Sequence, residues 1–406
     1  MKRLTSIFLV ISSISSAYAN YYKTLPKGVR LMAYRHVQTS TVKSSYNHTN
    51  KETPFSYEFK ASGELLEELD ELKPVMEAMK ALSPEAYDQF SLGTYKIEAD
   101  ARVNVNALGV GYGITNKLTG YVGIPYYNAH VDVRYKRVKG NNYSQVADTL
   151  ANTGNTTAQS FGDAVENMVD VNENVIQSAA INTLGYEEVG QWDGEGLGDT
   201  ELGFLYNLTD DGRKGTAVTF GLVAPTGYVE DPDIIQDVGF GDGQWDGFLE
   251  YGGGINVTNS LAFNSFFRYT YQFASEKTLR VPYDQDVQLS DKKGDFYEKR
   301  GNKFDYVFES TYSFNDWVSI TPGYEFNYQE KSEYISPYVD ANEFLAANTE
   351  KLSHSLRLAG TVSSIQPFLK KNFILPATIN LKYQHMMFGK NTPKVDRIEL
   401  ELRMLF

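Results

Sequence analysis

Residues 395–406 read VDRIELELRMLF. From Ile398 every second residue is apolar (Ile398, Leu400, Leu402, Met404, Phe406), and Glu399, Glu401 and Arg403 stand between them. A period of two is that of a β-strand, whose side chains point alternately to opposite faces. This strand has one oily face, one charged face and a terminal aromatic ring.

The pattern recurs. In 303–314, KFDYVFESTYSF, Phe304, Tyr306, Phe308, Tyr312 and Phe314 oppose Asp305, Val307, Glu309, Thr311 and Ser313. In 261–273, LAFNSFFRYTYQF, Phe263, Phe267, Tyr269, Tyr271 and Phe273 oppose Asn264, Arg268, Thr270 and Gln272. In 318–329 Ile320, Tyr324, Phe326 and Tyr328 oppose Thr321, Glu325 and Asn327. Twelve such segments are expected, at 29–42, 96–114, 118–137, 199–209, 215–228, 245–257, 261–274, 303–314, 317–330, 351–364, 374–388 and 395–406. The polarity of the first and third is ambiguous, and a bulge is expected there.

The links between segments alternate in length. Short turns fall at 115–117, 210–215, 258–260, 315–316 and 366–372, and long links at 43–95, 138–198, 229–244, 275–302 and 331–350, with a modest one at 389–394. Sorting of short turns to one side and long loops to the other is the pattern of an outer-membrane β-barrel, with the short side periplasmic. Two long links carry helical spacing, one through Leu65, Leu69, Leu72, Met76, Met79 and Leu82 around Pro74, the other more loosely over 160–184. Their apolar stripes must be covered, either by one another outside the barrel or in its mouth.

The start of the chain has its own logic. Lys2 and Arg3 precede the apolar LTSIFLVISSI, and AYA follows at 17–19. This order predicts a secretory signal peptide over 1–19, with cleavage near Ala19. Downstream of it no apolar run reaches the ~18–20 residues of a membrane-spanning helix, a test that is blind to barrels, whose strands need only ~9–11 residues. The chain of 406 residues has no Cys, which excludes disulfides, thiolate metal sites and a Cys nucleophile. Its formal charge of −13 disfavours a nucleic-acid partner, since phosphate binding needs a basic face. The 29 Tyr and 23 Phe suit strands and membrane interfaces, where an apolar ring with a polar tip is at home.

A bilayer offers no water to satisfy backbone N–H and C=O groups, so a sheet within it must close. The fold class expected is therefore an all-β, transmembrane, antiparallel up-and-down β-barrel of about twelve strands, with short helices in its long loops. The last strand pairs with the first, the apolar residues of 398–406 face lipid, and Phe406 joins the periplasmic aromatic girdle. The other face should line the lumen. The candidate lumen residues are Asp100, Arg102, Glu250, Arg268, Asp305, Glu309, Glu325, Arg357, Lys382, Arg397, Glu399, Glu401 and Arg403. Charges of both signs there are either a structural salt-bridge ladder or the lining of a water-filled path.

GLGDTELGFLYNL at 196–208, followed by TFGLVAPTGYV at 219–229 and GFGDGQWDGFLEYGGGI at 239–255, carries a family resemblance. It is similar to the outer-membrane family named for the meta pathway of phenol degradation, over roughly 195–330. The resemblance implies a small barrel acting as a channel for hydrophobic or aromatic compounds, and it brings no site residues. The strand ending in Phe406 also resembles the signal read by the barrel-assembly machinery of Gram-negative bacteria. There is a looser likeness to long-chain fatty-acid transporters, without their N-terminal plug pattern.

Other chemistries fit less well. None of His36, His48, His130, His354 and His385 is followed two positions on by Ser, as a barrel lipid hydrolase with a His-x-Ser pair requires. Ser353 and Ser355 flank His354, which on a strand sends them to the opposite face. The acidic loops around 193–199 and 231–246 lack calcium-loop spacing. No enzyme activity, metal or cofactor is expected. The expected partners are outer-membrane lipid and lipopolysaccharide, the assembly machinery, and a small-molecule solute. A barrel without transport, serving as an adhesin, surface receptor or envelope-stabilising protein with a plugged lumen, is the alternative.

Overall fold

The computed structural model describes residues 21–67, 72–283, 285 and 289–406. The expected signal peptide, 1–19, and Leu69 of the first helical stripe lie outside these residues. The chain forms two compact units, one of 1–53, 100–131 and 191–406, the other of 54–99 and 132–190.

The main sheet has twelve antiparallel strands, all within the first unit except residues 91–99 of β2 and 132–139 of β3: β1 (Arg30–Thr39), β2 (Ser91–Thr115), β3 (Leu118–Lys139), β4 (Thr200–Asp210), β5 (Lys214–Ala224), β6 (Asp246–Asn256), β7 (Leu261–Gln272), β8 (Lys303–Ser313), β9 (Val318–Gln329), β10 (Lys351–Ser363), β11 (Ala377–Lys390) and β12 (Arg397–Leu405). Each pairs with its neighbours in sequence, and β12 returns to β1, so the sheet closes. At the seam Leu31 faces Leu405, Arg35 faces Glu401 and Thr39 faces Arg397. Arg30 and Phe406 exchange backbone hydrogen bonds of 2.8 and 3.0 Å. All twelve expected segments are strands, and no end is displaced by more than five residues. β1 pairs without a register shift on either side. Shifts occur instead in β10, between His354 and Ser355, and in β4, between Asn207 and Thr209.

The alternation works as the two faces of such a wall require. On β12 Ile398, Leu402, Met404 and Phe406 point outward and are exposed, whereas Glu399 and Glu401 point inward and are buried. The outward row continues through Leu249 and Tyr251, Phe267 and Tyr271, Tyr306 and Phe308, Leu356 and Leu358, and, in β11, Ile379 and Leu381. An exposed apolar band of this extent is expelled by water and is suited to hydrocarbon.

The second unit has its own core. Helices Gly63–Glu67, Lys73–Leu82 and Pro84–Gln89 come from one long link, and Tyr143–Ala151, Thr156–Glu166 and Glu173–Asn182 from the other. Leu66, Met76, Met79 and Phe90 from the first link cluster with Val146, Leu150 and Val165 from the second. The first stripe is thus covered by the second link, through Val165 and Phe161 of the expected 160–184 stripe and through Val146 and Leu150 ahead of it, whereas Glu173–Asn182 buries no residue. Pro74 lies in the first turn of its helix, where its missing N–H costs nothing.

Candidate functional site: the lumen and its two ends

The inner wall has two unlike sectors. On β1, β2 and β3 the inward residues are mostly small and apolar: Ala33 and Val37, Val103 and Val105, Ala129 and Val131, all buried. From β4 round to β12 the inward residues are mostly polar or charged.

The charges form a paired belt. The Arg268 guanidinium reaches Glu201 at 2.8 Å and Glu250 at 3.6 Å, and lies 3.8 Å from the centre of the Phe248 ring. Arg357 bridges Glu309 at 3.4 Å and Glu325 at 3.2 Å. Glu325 also takes Arg397 at 2.8 Å, and Gln384 links the same two groups. Across the β1–β12 seam Arg35 holds Glu399 at 3.2 Å and Glu401 at 3.1 Å, while Lys382 joins Glu399 at 3.0 Å and Arg403 joins Glu401 at 2.7 Å. Asp305 accepts from Asn327 at 2.7 Å. Buried charges survive only when neutralised in this way.

The short-turn end is filled by the segment ahead of β1. Tyr21, Tyr22 and Leu25 are buried. Tyr21 Oη donates to Glu309 at 2.5 Å, and its ring meets Phe266 edge to face at 4.7 Å. Asn207 donates to the Tyr22 carbonyl at 2.8 Å, Thr119 accepts from Leu25 N–H at 2.8 Å, and Gly28 N–H bonds Gly113 at 2.8 Å. Inward glycines admit the segment. A Cβ at Gly113 would lie 2.0 Å from the Pro26 carbonyl oxygen, and one at Gly215 would lie 2.3 Å from the Tyr22 ring. Residues 21–28 thus pack against the inner wall at this end, a placement that the sequence reading did not single out. Eight residues without regular structure leave no periodic signal.

At the long-loop end the 225–245 link folds into place. Asp199, just before β4, accepts backbone N–H bonds from Gly227 and Asp242, both at 2.9 Å. Thr226 Oγ1 accepts from Thr200 N–H at 3.0 Å and donates to the Gly198 carbonyl at 2.8 Å. Phe240 of this link stacks on Tyr127 with ring centres 5.2 Å apart. The GLGDT and APTG motifs are thus a fastening for the loop. Burial pushes the Asp199 carboxyl up, the two N–H donors oppose this, and nearby Asp242 and Asp246 add to the rise, to about 6. Burial alone would also raise Asp242, but Arg300, then Lys303, hold it down to about 2. Glu298 is likewise held to about 2, against its burial, by Arg300 and Lys277.

Two cavities lie end to end behind this loop. The outer one, about 350 Å³, is lined among others by Glu230, Lys277, Glu298 and Arg300. The inner one, about 110 Å³, has Asp305, Glu325, Gln384 and Arg397 in its lining. Gln329 and Lys351 belong to both. The inner chamber reaches Glu325, whose partner Arg357 is in turn tied to Glu309 and so to Tyr21.

Of the candidate lumen residues, Glu250, Arg268, Asp305, Glu309, Glu325, Arg357, Lys382, Arg397, Glu399, Glu401 and Arg403 have the inward parity of their strands. Asp100 and Arg102 do not. They share the outward parity of Leu108 and Val110 on β2, and Arg102 is exposed with its Nε bonded to Thr41 at 2.8 Å. β2 is 25 residues long, well over the ~9–11 that cross a bilayer, so its outer face can carry charge where it meets water. Arg35, Glu201, Tyr21 and Tyr121, which bonds Glu201 at 2.7 Å, belong to the lumen and were not among the candidates. Glu201 was legible, since Leu202 and Phe204 alternate with it.

His354 points outward against Tyr324 and Phe388, and Ser353 and Ser355 have the inward parity. Among the described residues no group of three or more His, Cys, Asp or Glu side chains is placed to hold a metal ion.

No family model matches the chain, and no curated protein does. Solved structures do. A toluene transporter from Ralstonia pickettii aligns at TM-score 0.35 with 8% identity, over 94% of this chain and 90% of its own. A FadL homologue from Pseudomonas aeruginosa aligns at 0.34 with 6% identity, over 95% and 92%. An outer membrane channel from Pseudomonas putida F1 aligns at TM-score 0.53 with 13% identity, over 95% of this chain and 98% of its own. The twelve-stranded closed barrel described above is thus a fold shared with that solved structure.

Proposed function

We propose that the protein is an outer-membrane channel for small molecules, loaded from the long-loop end and closed at the short-turn end by residues 21–28. The observation that carries this reading is the pair of cavities of about 350 and 110 Å³ that share Gln329 and Lys351 and lead to the belt above Tyr21. The wall itself suggests the cargo. An apolar strip on β1–β3 facing an ionic sector suits a small molecule with an apolar body and a polar end, which includes the aromatic compounds implied by the family resemblance. In this reading the long loops meet lipopolysaccharide, and β12 with Phe406 is the segment met by the assembly machinery.

Planar-bilayer conductance and solute uptake into liposomes test it. Full-length mature protein should give small, infrequent steps, and deletion of 21–25 should give larger and longer ones. If neither protein conducts or admits solute, the second reading stands, a non-transporting barrel. That reading is favoured by one observation, the pairing of the buried inner charges within three ionic clusters centred on Arg268, Arg357 and Arg35.

A further inference from the structure

One short turn differs from the rest. The others are polar: Thr115–Lys117, Asp210–Lys214, Thr258–Ser260 and Asn315–Asp316. The 364–376 turn instead reads FLKKNFIL over 368–375, and all eight residues are exposed. Ile374 is 92% exposed and Leu369 65%. This is not a slack loop. Ile365–Leu369 is a short helix, the Ser364 hydroxyl accepts from Ala377 N–H at 2.9 Å, and Asn372 N–H bonds the Pro367 carbonyl at 2.8 Å. Lys370 also reaches Asp316 in the turn beside it. The fold thus holds five large apolar side chains away from itself.

We infer that this turn is a keel set in the periplasmic-leaflet interface of the membrane, with its apolar residues among phospholipid acyl chains and Lys370 and Lys371 at the phosphates. Two observations select lipid as the occupant. The patch is continuous with the apolar band, since Phe373 meets Trp317 edge to face at 5.1 Å, in the turn closed by the Phe314 N–H to Val318 bond, and Leu405 N–H bonds the Pro376 carbonyl at 3.0 Å, next to exposed Phe406. The two lysines lie between its apolar halves, as in segments that rest on anionic lipid.

The inference rests on the membrane reading of the barrel and not on conduction. The absence of Cys allows single-site spin labelling of the full-length mature protein in vesicles of phosphatidylethanolamine and phosphatidylglycerol. Labels go at Ile374→Cys, at Leu381→Cys on the outward face of β11, and at Asn259→Cys in a polar turn. Oxygen collisions should exceed those of a water-soluble nickel chelate at 374, as at 381, with the reverse at 259. K370Q/K371Q should make the 374 label shallower in these vesicles and leave it unchanged in phosphatidylcholine. A 374 label that behaves like 259 while 381 reads as lipid-exposed overturns the keel alone. Water exposure at 381 overturns the membrane reading itself.

Discussion

Tyr21 Oη donates a 2.5 Å hydrogen bond to Glu309 Oε2, which ties the segment ahead of β1 to the wall of β8. Glu309 also faces Arg357 at 3.4 Å, so one carboxylate joins that segment to the belt.

Tyr21→Phe removes that bond and leaves the ring on Phe266. A hydrogen bond to a charged group contributes ~1.5–3 kcal/mol, so the ratio of open to closed time should rise about tenfold or more. Single-channel recording checks this, and an unchanged ratio would mean that the segment does not gate.

Space is a second handle on the same segment. Gly113→Val places atoms where the Pro26 carbonyl now sits, an overpacking that costs ~1–3 kcal/mol at well-packed sites. The variant should conduct more than wild type, and its barrel should still show the mobility difference between boiled and unboiled samples on gels. A variant that is equally closed would place the block elsewhere.

The belt predicts the response to charge changes. Arg268→Met leaves Glu201 and Glu250 without their cation, and breaking a buried pair in this way costs ~3–5 kcal/mol. The unfolding temperature on gels should drop, and combining it with E201Q and E250Q should restore most of the loss. Charge reversal at Arg268 or Arg357 should lower stability with ion selectivity unchanged. Altered selectivity in a stable barrel would instead mark an open, hydrated path.

The loop fastening should depend on pH. Asp199 is raised to about 6 in the closed loop against an ordinary 3.8, so the closed loop holds its proton more tightly than a released loop does. The extra fastening is complete below 3.8 and is lost as pH rises through about 6. Asp242 and Glu298, at about 2, stay ionised throughout this window. Protease cleavage within 225–245 should therefore be slower at pH 5 than at pH 7.5. Asp199→Asn cannot titrate; it keeps a carbonyl oxygen for one of the two N–H groups and turns an amide donor toward the other, so it should loosen the loop overall and flatten the profile. A steep profile in that variant would assign the effect to another group.

The barrel was legible because each strand divides two environments. Phe304, Tyr306 and Phe308 against Asp305, Val307 and Glu309 show it, and side chains at period two record it directly. The contrast fades where the inner face is also apolar. Leu31, Ala33 and Val37 on β1, and Ala129 and Val131 on β3, made the polarity of those two strands ambiguous and hid Arg35 among them. The rule also fails beyond the apolar band, where water touches both sides, hence the outward Asp100 and Arg102. The 21–28 segment has no period at all, and its traces in sequence were glycines such as Gly113 and Gly215, which many turns and bulges also use.

The seam where β12 meets β1 joins residues as far apart as Arg35 and Glu401, 366 positions distant. Such a contact is reached only after nearly the whole chain is in place, since pairing ends this remote carries the largest ordering cost in the sheet. Until then Arg35 stands apart from Glu399 and Glu401, which have only Lys382 and Arg403 beside them. Insertion is therefore expected to be all-or-none in its last step, with the final zipping of the sheet and the neutralisation of Arg35 occurring together.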